Sequence, residues 1–125
     1  MRYIGFDMGD GESAVAAFEH GSLIEPVILP VCGSASLLSA VGLLGGEIVV
    51  GDRALTDALA QELSVRFKSR FTTDPASYED VVRFVRGVLS DLRQSGALRP
   101  DDRFVVGCPA GWNTAARTRY RDLLV

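Results

Sequence analysis

The chain has 125 residues, of which 47% are hydrophobic and 23% are charged. This length and composition are typical of one globular unit with a single core, and they exclude two large lobes. The formal net charge of -3 provides no basic field that would attract nucleic acid or anionic lipid, so we expect neither a nucleic-acid partner nor a membrane partner.

Alternating apolar residues predict strands in the first half of the chain. Three strands are expected at residues 3–7, 13–18 and 23–28, and they would form a β-meander. His20, in the turn before the third strand, is predicted to be a solvated turn residue and not a ligand. A second hairpin is expected from residues 38–44 and 47–50, because Gly45 and Gly46 can adopt the positive φ of a tight turn.

Helical spacing replaces the alternation after Gly51. Ala54, Ala58, Leu59 and Leu63 predict a helix that begins near residue 53, with Asp52 as its N-cap.

A longer helix is predicted at residues 77–95. Ser77 and Asp80 resemble a capping box at its start, and Gly96 can close it. Residues 104–108 then predict a buried strand, and Asn113 or Thr114 can cap a final helix. The order of elements indicates a mixed α/β fold.

The segment 7–12, Asp-Met-Gly-Asp-Gly-Glu, joins the first two predicted strands. Acids and glycines are typical of a polar hairpin turn, which needs no ligand. A carboxylate beside a glycine turn can also hold a metal ion and admit phosphate oxygens. The Gly-x-Gly-x-x-Gly fingerprint, the Gly-x-x-x-x-Gly-Lys-Ser/Thr loop and the EF-hand spacing are all absent from the sequence.

Four segments carry a resemblance to a known family. YIGFDMGDGESAVA resembles the phosphate-1 loop of the actin, hexokinase and heat-shock-chaperone ATPase superfamily. SLLSAVGLLGGEIVVGDRAL, SVRFKSRF and FVVGCPAGWNTAARTRYRDLL follow in the order found in the seventy-kilodalton, DnaK-type heat-shock chaperones. The resemblance spans essentially the whole chain but only the leading part of a family ATPase domain.

The resemblance implies a ribonuclease-H-like (actin-like ATPase) lobe. Its mixed sheet would contain the β-meander and one further strand, with helices between them and a C-terminal helix. Residues 1–125 would be a single domain, the N-terminal lobe portion of an ATPase domain that stops before the second lobe. The implied partners are the missing C-terminal portion of that domain, protein clients and co-chaperones.

The resemblance also implies roles for residues of the first loop, with ATP or ADP and Mg²⁺ as cofactors. Asp7 resembles the aspartate that orients Mg²⁺ through its water shell. Gly9 resembles the glycine that lets the backbone approach the phosphates. The other residues expected to bind the nucleotide are Asp10, Gly11, Glu12 and Ser13.

Three residues outside the first loop receive implied roles. Lys68 resembles the lysine that reaches the γ-phosphate and the attacking water, and it is the candidate catalytic residue. Pro109 and Arg117 resemble a proline switch and its arginine relay, an allosteric pair that couples the nucleotide state to a neighbouring substrate domain.

Asp10 and Gly11 depart from the family pattern, which has hydroxyl donors at these positions. Either Asp10 joins the metal shell, or its charge weakens nucleotide binding. Two functions therefore stay open for the parent protein: an ATPase, or a degenerate non-hydrolysing scaffold or protein-interaction module of the same fold. We do not expect this chain to hydrolyse ATP alone, because it has no counterpart of the family's catalytic glutamate or second phosphate loop.

Two features favour a cytoplasmic location. Asp7 and Asp10 interrupt the apolar residues after Met1, so a secretory signal is not expected. Cys32 and Cys108 have neither metal-ligand spacing nor a disulfide framework, and we expect buried thiols in a reducing compartment.

Overall fold

The computed structural model describes residues 1–21, 25–56, 61–108 and 111–124, and its strands and helices establish an α/β protein. The strands are β1 (Arg2–Met8), β2 (Glu12–Glu19), β3 (Val27–Ile28), β4 (Leu37–Leu38), β5 (Ala40–Leu44), β6 (Glu47–Val50), β7 (Gln61–Val65) and β8 (Arg103–Val106). The helices are α1 (Asp52–Thr56), α2 (Ser77–Gln94) and α3 (Thr114–Leu124). None of the helices in the described ranges is long and apolar enough to span a membrane.

The strands form two sheets. In the first, β1, β2 and β3 pair antiparallel, β4 also pairs with β2, and β8 adds parallel to β1. In the second, β5 pairs antiparallel with β6 and β7. The predicted meander with one later strand is confirmed. Because β1 and β8 are parallel, their carboxyl ends, Met8 and Val106, lie at the same edge of the sheet.

Helix α2 covers one face of the first sheet. Ile4, Phe6 and Met8 alternate along β1 and are buried on that face. They share a core cluster with the apolar residues of α2, Val81, Phe84, Val88 and Leu92. The rings of Phe6 and Phe84 meet edge to face, 6.4 Å apart. The alternate residues of β1 are turned to the other face, where Asp7 is exposed.

A buried ion pair holds the two parallel strands together at their amino ends. Arg2, at the start of β1, donates to Asp102, just before β8, at 2.5 Å, and also to the carbonyl of Ala97 at 2.7 Å. The hydrogen bond raises the pKa of the Arg2 guanidinium and lowers the pKa of the Asp102 carboxyl. This pair fixes the last strand beside β1.

The predicted burial of the last strand is wrong. Strand β8 occupies residues 103–106, but Phe104 is 47% exposed and Val105 is 49% exposed. The strand is at the edge of the sheet, and it pairs on one side only. The predicted burial of the two thiols is also wrong, since Cys32 and Cys108 are both exposed and free.

The prediction of a helix that begins near residue 53 is only partly correct, and its Ala58 and Leu59 lie outside the described residues. Helix α1 begins at Asp52, close to the predicted position, but residues 61–65 form strand β7. Leu63 is 50% exposed in that strand. The helical spacing of these residues was outweighed by pairing of β7 with β5, where Val41 opposes Ser64.

Two further strand predictions need adjustment. The predicted strand at residues 38–44 is divided at Ser39, because Leu37–Leu38 pairs with β2 and Ala40–Leu44 belongs to the second sheet. Of the predicted strand at residues 23–28, the first two residues lie outside the described ranges. The part that the structure describes as a strand is Val27–Ile28.

The start of α2 differs from the predicted capping box. Ser77 is fully buried and its hydroxyl donates to the carbonyl of Asp74 at 2.7 Å. The Asp74 carboxylate instead accepts from the amide of Ala76 at 3.0 Å. Helix α2 therefore follows a turn that begins at Asp74, and its N-cap residue, Ala76, makes no side-chain cap bond.

The ends predicted by Gly96 and Asn113 are confirmed. Gly96 has a φ of +75°, and the amide of Ala97 donates back to the carbonyl of Leu92 at 2.9 Å, which completes a Schellman motif. The Asn113 side chain accepts from the amide of Ala116 at 2.8 Å and caps α3. His20 is exposed in a turn, as predicted.

Candidate functional site

The turn between β1 and β2 has a fixed shape that requires glycine at one position. The amide of Gly9 donates to the carbonyl of Glu12 at 3.0 Å. A Cβ at Gly9 would lie 2.4 Å from that carbonyl oxygen, whereas a Cβ at Gly11 would meet no atom within 4 Å. Gly9 is therefore needed by the turn itself, with or without a ligand.

Two amides of this turn are available to an anion. In the described part of the chain, the amides of Asp10 and Gly11 donate to no acceptor, and both residues are exposed. The carbonyl of Gly11 accepts from the amide of Ser39 at 2.9 Å, which ties the tip of the turn to the chain beside β4. Successive unpaired amides on a fixed turn are the donors that phosphate oxygens need.

Lys68 lies at the carboxyl end of β1. Its ammonium group donates to the carbonyl of Met8, and its side chain is half-buried. The flanking residues Phe67 and Phe71 are fully buried. Their rings pack on Phe84 at 5.1 Å and on Tyr120 at 5.3 Å, respectively. The core thus holds the backbone on both sides of the lysine.

Opposing effects act on the Lys68 ammonium. Burial lowers its pKa, and the nearby Asp7, Cys108 and Asp10 oppose that shift. Asp7 and Cys108 lie at the carboxyl ends of the parallel strands β1 and β8, and Asp10 lies in the turn that follows β1. A partly desolvated ammonium beside unpaired amides is suited to a phosphate oxygen.

Asp7 has the exposure needed to interact with a hydrated cation. It is exposed on the face of β1 opposite α2, and its carboxylate accepts no hydrogen bond from the residues that the structure describes. Mg²⁺ commonly keeps several waters and uses one or two carboxylates. The carboxylate present therefore fits the predicted contact with a hydrated Mg²⁺.

Asp10 contacts the segment that carries Lys68. Its Oδ1 accepts from the backbone amide of Ser69 at 3.0 Å. The Ser69 hydroxyl in turn donates to the carbonyl of Arg66 at 3.0 Å. The exposed acid of the turn therefore has a specific protein partner.

The other two loop residues have partners within the protein. The Glu12 carboxylate accepts from the Ser36 hydroxyl at 3.2 Å. Ser13 is buried, and its hydroxyl shares a hydrogen bond of 2.8 Å with Ser39, which also donates to the carbonyl of Gly9 at 2.7 Å. The Ser13 hydroxyl thus lies in the interior beneath the turn.

Helix α3 packs against the same end of the sheet. The buried hydroxyl of Tyr120 lies 3.9 Å from the sulfur of Met8, and burial raises the pKa of that phenol. Arg117 is exposed on this helix, and its backbone amide donates to Asn113. Pro109 lies outside the described residues, so its predicted link to Arg117 stays a prediction.

A separate cavity of about 580 Å³ lies between β6 and α2. Its charged lining residues, Glu47, Arg53, Arg86 and Asp91, carry two charges of each sign. None of the predicted site residues lines it. The cavity has no excess of positive charge that would favour a nucleotide.

The sequence indicated some of these residues and missed others. The structure places Asp7, Gly9, Asp10 and Lys68 at one end of the sheet. Lys68 is also the only lysine among the 13 Lys and Arg residues, a signal that composition alone could have supplied. The supporting contacts of Ser39 and Ser69 had no signal in the sequence, because they depend on tertiary approach.

Comparison with known proteins gives no assignment: no protein-family model and no curated protein matches this sequence.

Proposed function

We propose that this protein is a nucleotide-phosphate-binding lobe of an actin-like ATPase of the heat-shock-chaperone (DnaK) type. One observation carries the proposal. The unpaired amides of Asp10 and Gly11 lie on a fixed turn at the end of β1, where the Lys68 ammonium is also held. Backbone amides and a lysine are a recurrent combination for binding nucleotide phosphates.

The topology supports the position of this site. In sheets with parallel strands, ligands bind beyond the carboxyl ends of the strands. The turn follows the carboxyl end of β1, and the neighbouring strand β8 is parallel to it. A meander joined by a parallel strand is also the arrangement expected of a ribonuclease-H-like lobe, which we propose as the finer description of this fold.

The residues suggest a division of roles. The amides of Asp10 and Gly11 would bind phosphate oxygens, and Lys68 would turn from the Met8 carbonyl to the terminal phosphate. Asp7 would orient the waters of Mg²⁺, which would partly neutralise the phosphates when bound.

Hydrolysis requires more than these residues provide, since phosphoryl transfer depends on positioning by groups on both sides of the nucleotide. We therefore propose that the lobe acts with the C-terminal portion of its own ATPase domain. We also propose protein clients and co-chaperones as its partners and the cytoplasm as its compartment.

The non-hydrolysing scaffold is the second candidate, and the turn gives a specific reason for it. An aspartate lies where the family has hydroxyl donors, and the nearby Ser13 hydroxyl is buried and bonded to Ser39. A turn with fewer donors and an added negative charge would bind phosphate less tightly.

The test is titration of the protein with ATP and Mg²⁺, using Lys68→Ala and the matched variant Arg86→Ala. Both changes remove one positive charge, but Arg86 lines the separate cavity beside α2. We expect saturable binding that Lys68→Ala weakens about tenfold, the loss of one charge-assisted hydrogen bond, and that Arg86→Ala leaves nearly unchanged. No saturable binding, or an equal loss in both variants, would contradict the proposal.

A further inference from the structure

We infer that Asp10 is a positioning residue, which holds the Lys68 segment against the phosphate-binding turn through the backbone amide of Ser69. The inference rests on the proposed function, which supplies the ligand that Lys68 would bind. This role differs from the two that the sequence suggested for Asp10, which were a place in the metal shell and repulsion of phosphate.

The contact geometry is reciprocal. The Lys68 side chain donates to the backbone carbonyl of Met8, and the Asp10 side chain accepts from the backbone amide of Ser69 at 3.0 Å. Each segment thus uses one side chain to bond the backbone of the other. We call this pair of contacts the reciprocal clasp. It joins the adjacent residues Lys68 and Ser69 to Met8 and Asp10 of a turn that is distant in sequence.

The clasp holds the lysine segment on its solvent-exposed side. Phe67 and Phe71 fix the segment from the core, but Ser69 is exposed and Arg66 has a left-handed φ of 53°. Without Asp10, the Ser69 amide would bond to water, and this exposed part of the segment would lose its tie to the turn. A carboxylate acceptor makes a stronger bond to an amide than a neutral group does.

The clasp also accounts for an acid in this position. The Asp10 charge lies near the Lys68 ammonium, whose positive charge offsets part of its repulsion of phosphate. A hydroxyl at this position could donate to phosphate, but its shorter side chain would not reach in the same way as the carboxylate that bonds Ser69. With aspartate at this position, the turn lacks one possible donor to phosphate, but the Lys68 segment is held in place.

The test compares Asp10→Ala, which removes the acceptor, with Asp10→Asn, which removes the charge but keeps an acceptor oxygen. Glu47→Ala, in the β5–β6 hairpin, is the control for loss of an exposed acid. Amide hydrogen exchange at Ser69 reports the clasp directly. Acylation of Lys68 reports its accessibility, because it is the only lysine and the α-amine of Met1 serves as internal reference.

We expect Ser69 exchange about tenfold faster in Asp10→Ala than in the unchanged protein, faster by a clearly smaller factor in Asp10→Asn, and little altered in Glu47→Ala. Lys68 should be acylated faster in Asp10→Ala than in Asp10→Asn, although both lack the charge. Binding of ATP with Mg²⁺ should weaken in Asp10→Ala and be kept in Asp10→Asn.

Two results would overturn the inference. One is Ser69 exchange that is the same in Asp10→Ala and the unchanged protein. The other is equal loss of ATP binding in both Asp10 variants while Ser69 stays protected in Asp10→Asn. Failure of the unchanged protein to bind ATP would instead contradict the proposed function, and the exchange and acylation measurements would still decide whether the clasp exists.

Discussion

Gly9 and Gly11 are separated by one residue, yet they meet different physical requirements. A side chain at Gly9 would collide with the backbone of Glu12, and the backbone of a hydrogen-bonded turn cannot easily move away. Gly11 has open space around it. The need for glycine at the first position is therefore explained by the turn, and it is not by itself evidence of a ligand.

This difference gives a prediction for stability. Gly9→Ala should lower the free energy of unfolding by about 1 to 3 kcal/mol because of the collision, whereas Gly11→Ala should change it by about 0.5 kcal/mol or less. Urea denaturation of the two variants measures both values. Equal stability of the two variants would show that the turn does not have the shape described.

The sequence was informative about individual residues where a local pattern carried the information. Asn113 and Gly96 act at helix ends through bonds to nearby backbone, so their roles could be predicted. The partner of Asp10 could not, because Ser69 is brought to it only by folding. The exposure of Cys108 likewise depends on tertiary structure.

Among the elements, α2 and the β5–β6 hairpin are in close contact at a glycine, Gly87. A Cβ at Gly87 would lie 2.5 Å from a methyl group of Val50 and 2.9 Å from one of Ile48. Both are β-branched side chains with few alternative rotamers, so they cannot easily rotate away from an added Cβ. The glycine therefore permits the helix to pack against the second sheet.

The consequence can be measured by replacing Gly87 with alanine. Alanine would gain about 1 kcal/mol in helix propensity, but the collision should cost about 1 to 3 kcal/mol, so we expect no gain and a net loss of stability. Ser90→Ala, at an exposed position of the same helix, is the control for helix propensity, and it also removes only a long hydrogen bond of 3.4 Å from Gln94. A stabilised Gly87→Ala protein would mean that the helix and hairpin are not in close contact.

Elements were predictable where local pattern and tertiary pairing agree. The long apolar stripe of α2 packs on the sheet, and its predicted extent was nearly correct. Leu63 belongs to the predicted helical pattern, but residues 61–65 pair with β5 and form a strand. The division of the predicted strand at Ser39 also follows from pairing with two different sheets.

For the whole molecule, the main feature that composition did not reveal is a face of the first sheet with exposed apolar residues in the described part of the chain. Ile28 and Val105 are exposed on this sheet, and Asp7 is exposed at its end near the proposed phosphate site. The sequence predicted the order of strands, but burial of β8 was wrong because a strand at a sheet edge can be apolar and exposed. The site itself could be proposed from resemblance, and the contacts that hold it came from the structure.

Phosphate binding at the turn can be measured by an amide nuclear magnetic resonance titration of the isotope-labelled protein with ATP and Mg²⁺. If the turn binds the nucleotide phosphates, the largest saturable shifts occur at Asp10, Gly11 and Ser69, the amides of the turn and the lysine segment. Shifts confined to the cavity between β6 and α2, or no saturable shift at the turn, would contradict it.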